Sequence, residues 1–158
     1  MGLGFVLCLT LGIGIVAGLR AMTAPAVVAW AAYLGWIHLA GTPLAFMGSI
    51  WAVGILTLGA LAEFVTDQLP TTPSRTVPIQ LGTRVVMGLL TGACLALAGG
   101  ASLWLGAIVA AIGAVLGTYG GYNARVGLVR SLKVKDIAIA VPEDLLAVGL
   151  GLFLVSRF

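Results

Sequence analysis

Charged side chains fall along this chain in a few short clusters separated by long apolar runs. Residues 1–19 carry none, and after Arg20 the next uncharged run extends from 21 to 62. A helix needs about 20 mostly apolar residues to cross a bilayer. The first run therefore predicts one span. The second predicts two, parted by a turn at His38-Leu39-Ala40-Gly41-Thr42-Pro43, where Gly and Pro break helices. The uncharged run 85–124 again holds two spans, divided at Gly99-Gly100-Ala101-Ser102. A last apolar stretch runs from Ile137 to Val155, with Pro142, Glu143 and Asp144 inside it. The pattern predicts six helices, near 3–19, 24–39, 43–67, 79–98, 102–122 and 138–156, the first two short enough to be tilted or partly re-entrant. The fold class is all-α: one polytopic membrane helix bundle over residues 1–158.

Composition agrees and excludes the alternatives. The chain is 61% hydrophobic and 8% charged, against roughly half and about 25% in an ordinary soluble domain. So few ionic groups cannot cover a water-facing surface, which excludes a soluble enzyme, a disordered tail and a nucleic-acid module. Arg20 follows the first apolar run rather than preceding it, the reverse of a cleaved signal peptide, so a retained span is expected. Cys8 and Cys94 are single thiols within spans and read as small apolar filler rather than as a disulfide or a metal motif.

Six spans place both termini on one side. The joints on the other side then receive Arg20, Arg75, Arg125, Arg130, Lys133 and Lys135, with Arg84 just inside the fourth helix, while Arg157 alone lies with the termini. Seven cations against one put the polar joints in the cytoplasm and the termini outside, in a bacterial inner membrane. Glycines at four-residue spacing (Gly14 and Gly18, Gly88 and Gly92, and Gly113, Gly117, Gly121) predict close helix packing within the bundle, with a homodimer seam as the alternative. Three helices on each side of the loop 70–78 suggest halves 1–69 and 79–158 arranged as a 3+3 inverted repeat, a common transporter design.

The polar constellations gather at the cytoplasmic mouth. Glu63 and Asp67 lie four apart on one helix face, where like charges repel unless a cation or proton stands between them. Arg20, Arg75 and Arg84 are the candidate partners. Carboxylates within a span usually face a partner or a water-filled cavity. The loop Pro70-Thr71-Thr72-Pro73-Ser74-Arg75-Thr76-Val77-Pro78 is stiff and rich in donors, suited to an anion or to a rigid link. Tyr119-Gly120-Gly121-Tyr122-Asn123-Ala124-Arg125 adds Asn123 and Arg125, on glycines that allow close backbone approach. Pro142-Glu143-Asp144 reads either as a cap at the membrane surface or as two carboxylates inside the bundle facing the arginines, and the second fits a full-length span better. Candidate ion- or ligand-binding residues are therefore Arg20, Glu63, Asp67, Arg75, Arg84, Asn123, Arg125, Glu143 and Asp144. No nucleophile–base–orienter set is legible, so no catalytic residue is assigned and no cofactor is expected. His38 stands alone on the opposite side.

The segments GLRAMTAP, EFVTDQLPTTPSRT, GGYNAR and VPEDLLA together resemble a group of small bacterial integral membrane proteins known as domain-of-unknown-function family 4126. That resemblance implies a multi-spanning inner-membrane protein and carries over no substrate or catalytic residue. The residues themselves suggest a small transporter or channel-like protein, surrounded by membrane lipids and expected as a homodimer. Its cytoplasm-facing charges would bind an ion or a small anionic or lipid-headgroup ligand. The alternative is a non-transporting scaffold or lipid-binding protein whose charges are structural. A lipid-phosphate enzyme is the weakest reading, since only Ser74 and the loop threonines offer a nucleophile.

Overall fold

The computed structural model of the chain describes residues 1–67, 74–133 and 137–158, Ile137 by its backbone alone. Among them are six α-helices and no strand: α1 (Leu3–Leu19), α2 (Thr23–Tyr33), α3 (Ile50–Thr66), α4 (Pro78–Ala98), α5 (Leu103–Leu132) and α6 (Ile137–Val155). A 3₁₀ turn at Ala45–Gly48 precedes α3.

Three helices form the centre. In α1, a Cβ on Gly14 would lie 2.2 Å from the Ala110 carbonyl oxygen, and one on Gly18 would lie 2.3 Å from that of Ala114. In α4, a Cβ on Gly92 would lie 2.5 Å from the Gly106 carbonyl. The order of these contacts makes α1 parallel and α4 antiparallel to α5. Hydrogen in place of a side chain lets the backbones touch, the usual means of helix association in lipid, where the hydrophobic effect supplies no drive. The predicted glycine stripes are therefore used inside the chain. Ile13, Val16, Val28 and Leu95 fill the remaining core, each with no exposed surface.

The helix ends explain three differences from the sequence pattern. The second helix stops at Tyr33, not 39. Gly35 takes φ +77°, Trp36 N–H donates to the Ala31 carbonyl at 2.8 Å, and Gly35 N–H donates to that of Ala32 at 3.3 Å. That left-handed terminator is glycine's natural place. The third helix starts at Ile50, not 43, because Ser49 caps it by accepting from Ala52 N–H at 3.1 Å. The fifth runs ten residues past 122 and stops where Lys133 takes φ +52°. The polar residues Asn123, Arg125 and Arg130 mark the exit from hydrocarbon, not the end of the helix. The division after the fourth helix agrees with the sequence: Gly100 at φ +72° ends it with the same bonding pattern.

α4, α5 and residues Ala138–Val155 of α6 are long and apolar enough to cross a membrane. α1 and α3 are apolar at 17 residues each, about 26 Å at 1.5 Å per residue. α2 has 11 residues and reaches the far end through the turn that follows. α5, at 30 residues, is far longer. Met1 and Phe158 line one 230 Å³ cavity with Trp36, His38, Ala98 and Gly99, so both termini sit at the end opposite Arg20. Large apolar side chains face outward, among them Trp51, Ile55, Leu58 and Trp104. α3 is the most peripheral helix, with only Val53 and Ala60 buried.

Candidate functional site

The site begins with a break in the chain. α1 stops at Leu19, and Arg20 is extended at φ −141°, ψ 113°. The break leaves the N–H groups of Ala21 and Met22 without helical acceptors. Both donate to the Glu63 carboxylate of α3, at 2.8 Å each. A carboxylate there also meets the positive end of the α2 dipole.

Two arginines are enclosed beside it. Arg20 is fully buried and Arg84 is 1% exposed. Arg20 donates to Asp67 at 2.6 Å and to Asp144 of α6, and its guanidinium lies 5.4 Å from the Phe64 ring centroid. Arg84 donates to the carbonyls of Gly18 and Leu19 at 3.0 and 2.6 Å, just before the break. It faces Glu63 at 3.7 Å and Asp67 at 3.9 Å. This inner group draws on four helices and the joint between α1 and α2. It sets two arginines against three carboxylates. Arg20 Nε, Arg84 Nε and Thr23 Oγ1 are buried without a hydrogen-bond partner among the described residues. No side chain caps α2, which Met22 precedes.

A second group lies beside the first. Arg75 grips Glu143 with both guanidinium nitrogens, at 2.5 and 3.1 Å, and Arg125 of α5 reaches the same carboxylate at 3.3 Å. Gly121 of α5 leaves room for the pair, since a Cβ there would lie 3.2 Å from Arg75 Nη1 and 3.3 Å from Glu143 Oε1. The adjacent Glu143 and Asp144 join the two groups.

Eight of the nine sequence-derived candidates thus converge at one end of the bundle. Asn123 is exposed on α5 and stands outside both groups. Arg75 pairs with Glu143 rather than with Glu63 or Asp67. α6 is continuous through Pro142, and its carboxylates face the arginines. Within the polar loop, Gln68 to Pro73 lie outside the described residues, as do Lys135 and Asp136. Three features had no sequence signal: the Glu63 bonds to backbone amides, the carbonyls taken by Arg84 and the clearance at Gly121. Among the described residues no set of three or more His, Cys, Asp or Glu side chains is placed to hold a metal.

Several apolar helices packed through glycine, with ionic groups enclosed at one end, define a multi-spanning membrane protein. The chain belongs to the family described as domain of unknown function DUF4126, whose profile matches residues 7–156. No curated protein and no solved structure matches it.

Proposed function

We propose that this protein is a small transporter-like component of the bacterial inner membrane whose inner charge group binds a small cation from the cytoplasm. Its polar end faces inward and its termini face outward. Six described cations lie at the polar end and Arg157 alone lies at the other, the asymmetry that the positive-inside rule associates with the cytoplasm.

The observation that carries the reading is the inner group itself. Two arginines against three carboxylates leave one negative charge among partly buried groups. Three buried polar atoms of Arg20, Thr23 and Arg84 lack partners among the described residues, and buried polar atoms in proteins are almost always bonded to protein or water. A site with one excess negative charge suits a proton or an alkali cation. Broken helices at such sites are a recurrent transporter feature. The cation would loosen Arg20 from Asp67 and Asp144, and with it the contact between the α1–α2 joint, α3 and α6.

A second reading rests on one specific observation. The inner and outer groups together set four arginines against four carboxylates, all of them paired. A balanced network suits a non-transporting scaffold. Proteoliposomes separate the two. Transport predicts movement of protons or of an alkali cation across the membrane, followed by an internal pH dye or an ion-selective probe, and a fall of at least tenfold in Asp67→Asn. Vesicles as tight to both ions as protein-free controls would overturn the transport reading and leave the scaffold.

A further inference from the structure

The two arginines of the inner group are shut in. Arg20 is fully buried and Arg84 is 1% exposed, so anything from outside reaches them only when a helix moves aside. α1, α4 and α5 are locked together where glycines bring their backbones into contact. α3 is held far more lightly. It packs on α2 and on the 3₁₀ turn before it, and hardly touches the three central helices. Of its 17 residues only Val53 and Ala60 are buried. In hydrocarbon no hydrophobic drive presses such a helix onto its neighbours, so close packing and polar bonds must hold it.

Its two ends are held by different means. At the far end Met47 has no exposed surface and anchors the 3₁₀ turn in the core. Ser49, between that turn and α3, is extended at φ −82°, ψ 150°. Toward the polar end no residue of α3 after Ala60 is buried. There the helix is held by Glu63, which accepts from Ala21 and Met22 N–H, and by Asp67 and the Phe64 ring against Arg20. Between the ends lie one hydrogen bond, from Trp30 Nε1 to Thr57 Oγ1 at 3.0 Å, and a notch at Gly59 that receives the Met22 side chain. Glu63 lies 14 residues after Ser49, about 21 Å along the helix axis. A turn of about 10° at Ser49 would carry Glu63 by about 4 Å, which takes its hydrogen bonds out of range.

We propose that α3 is a hinged arm. It turns about Ser49, is latched by Glu63 and Asp67 onto the joint between α1 and α2, and uncovers Arg20 and Arg84 when the latch opens. A few residues at the end of an element commonly serve as such a hinge. The arm follows from how α3 is packed and works alike in a transporter and in a scaffold, so it does not rest on the binding of an ion.

Two cysteine pairs read the two ends in the full-length protein in membranes, after Cys8 and Cys94 are replaced by alanine. A Cβ on Gly48 would lie 3.5 Å from the Ala32 Cβ, and one on Gly59 would lie 3.8 Å from the Met22 Cβ, both suited to a disulfide. Ala32→Cys with Gly48→Cys reports the hinge, and Met22→Cys with Gly59→Cys reports the latched half. Disulfide formation under a mild oxidant is timed for each pair alone and again with Asp67→Asn or with Glu63→Gln. With the latch intact both pairs should close. A latch substitution should slow the 22–59 pair at least fivefold and leave the 32–48 pair within twofold. Unchanged rates in both pairs would overturn the arm and show α3 fixed by packing alone. Parallel slowing of both pairs under both substitutions would also overturn it, because the helix would then give way as a whole. So would failure of the 22–59 pair to close with the latch intact. The hinge pair identifies a substitution that merely unfolds the protein, and the other substitution then decides. Vesicles that pass no ion would leave these rates as they are, so the arm and the transport reading fail separately.

Discussion

Glu63 shows how one side chain can serve both backbone and charge. Its carboxylate accepts from Ala21 and Met22 N–H at 2.8 Å each and also faces Arg84. Leaving a buried donor unsatisfied costs about 1–3 kcal/mol. Glu63→Ala strands two donors and should lower stability by about 2–6 kcal/mol on that scale. Glu63→Gln keeps a carbonyl oxygen for one of them and should cost clearly less, a ranking that unfolding in mixed detergent micelles can read. Equal losses would mean that the charge, not the amide bonding, matters. Arg20 gives the complementary case. It is fully buried between Asp67 and Asp144, and removing one partner of a buried pair typically costs about 3–5 kcal/mol. Since the two aspartates retain 14% and 13% side-chain exposure, Arg20→Met should fall toward the lower end, by the same assay. At this scale the sequence showed which residues would meet, because a charge inside a span must find a partner. It did not show which pairs form. Arg75 and Arg84 are equally plausible partners of Glu63 on spacing, and only the bundle geometry sends Arg75 to Glu143.

A helix end is legible in the sequence where a backbone signal coincides with a fall in hydropathy. Gly99-Gly100 marked the end of α4, whereas Gly35 was passed over because the apolar residues continue to 39. Hydropathy reports contact with lipid, not helicity, and this misplaced α5 as well. Its last ten residues lose apolar character while remaining helical to Leu132. Single cysteines at 123 to 132, introduced after Cys8 and Cys94 are replaced by alanine, should react with a soluble maleimide in a pattern repeating every 3.6 residues. Uniform reactivity would indicate the loop that the polarity pattern suggests. The close α1–α5 contact gives a second test. A Cβ on Gly113 would lie 2.4 Å from the Leu11 carbonyl oxygen, while one on Gly54 of α3 would meet nothing within 4 Å. Gly113→Ala must separate two backbones and should destabilise by about 1–3 kcal/mol, the usual cost of overpacking. Gly54→Ala should be neutral or slightly stabilising, because alanine is the better helix former. The two can be ranked by thermal unfolding in detergent.

At the scale of the molecule, the charge distribution predicts an orientation for the bundle in its membrane. Arg75, Arg125, Arg130 and Lys133 lie at the end with the charge groups, and Met1, His38 and Phe158 lie at the other. Both termini share an end because the six helices alternate in direction, an arrangement that follows from the bundle and does not depend on the membrane. Orientation is a separate matter, set during insertion by which short joints carry Lys and Arg. Here both arguments meet, since reversing the protein would move six described cations across the bilayer and leave Arg157 inside. In a background with Cys8 and Cys94 replaced, Ser156→Cys should react with an impermeant maleimide added to intact cells. Ser74→Cys and Ser131→Cys should react only after the cells are opened. Reaction of positions 74 and 131 from opposite sides would break the bundle topology, and with it the shared charge end. Reaction of both from outside would keep the topology and reverse the orientation. In that case the inner group would face the periplasm, and an ion taken up there would approach from the side opposite to the one proposed.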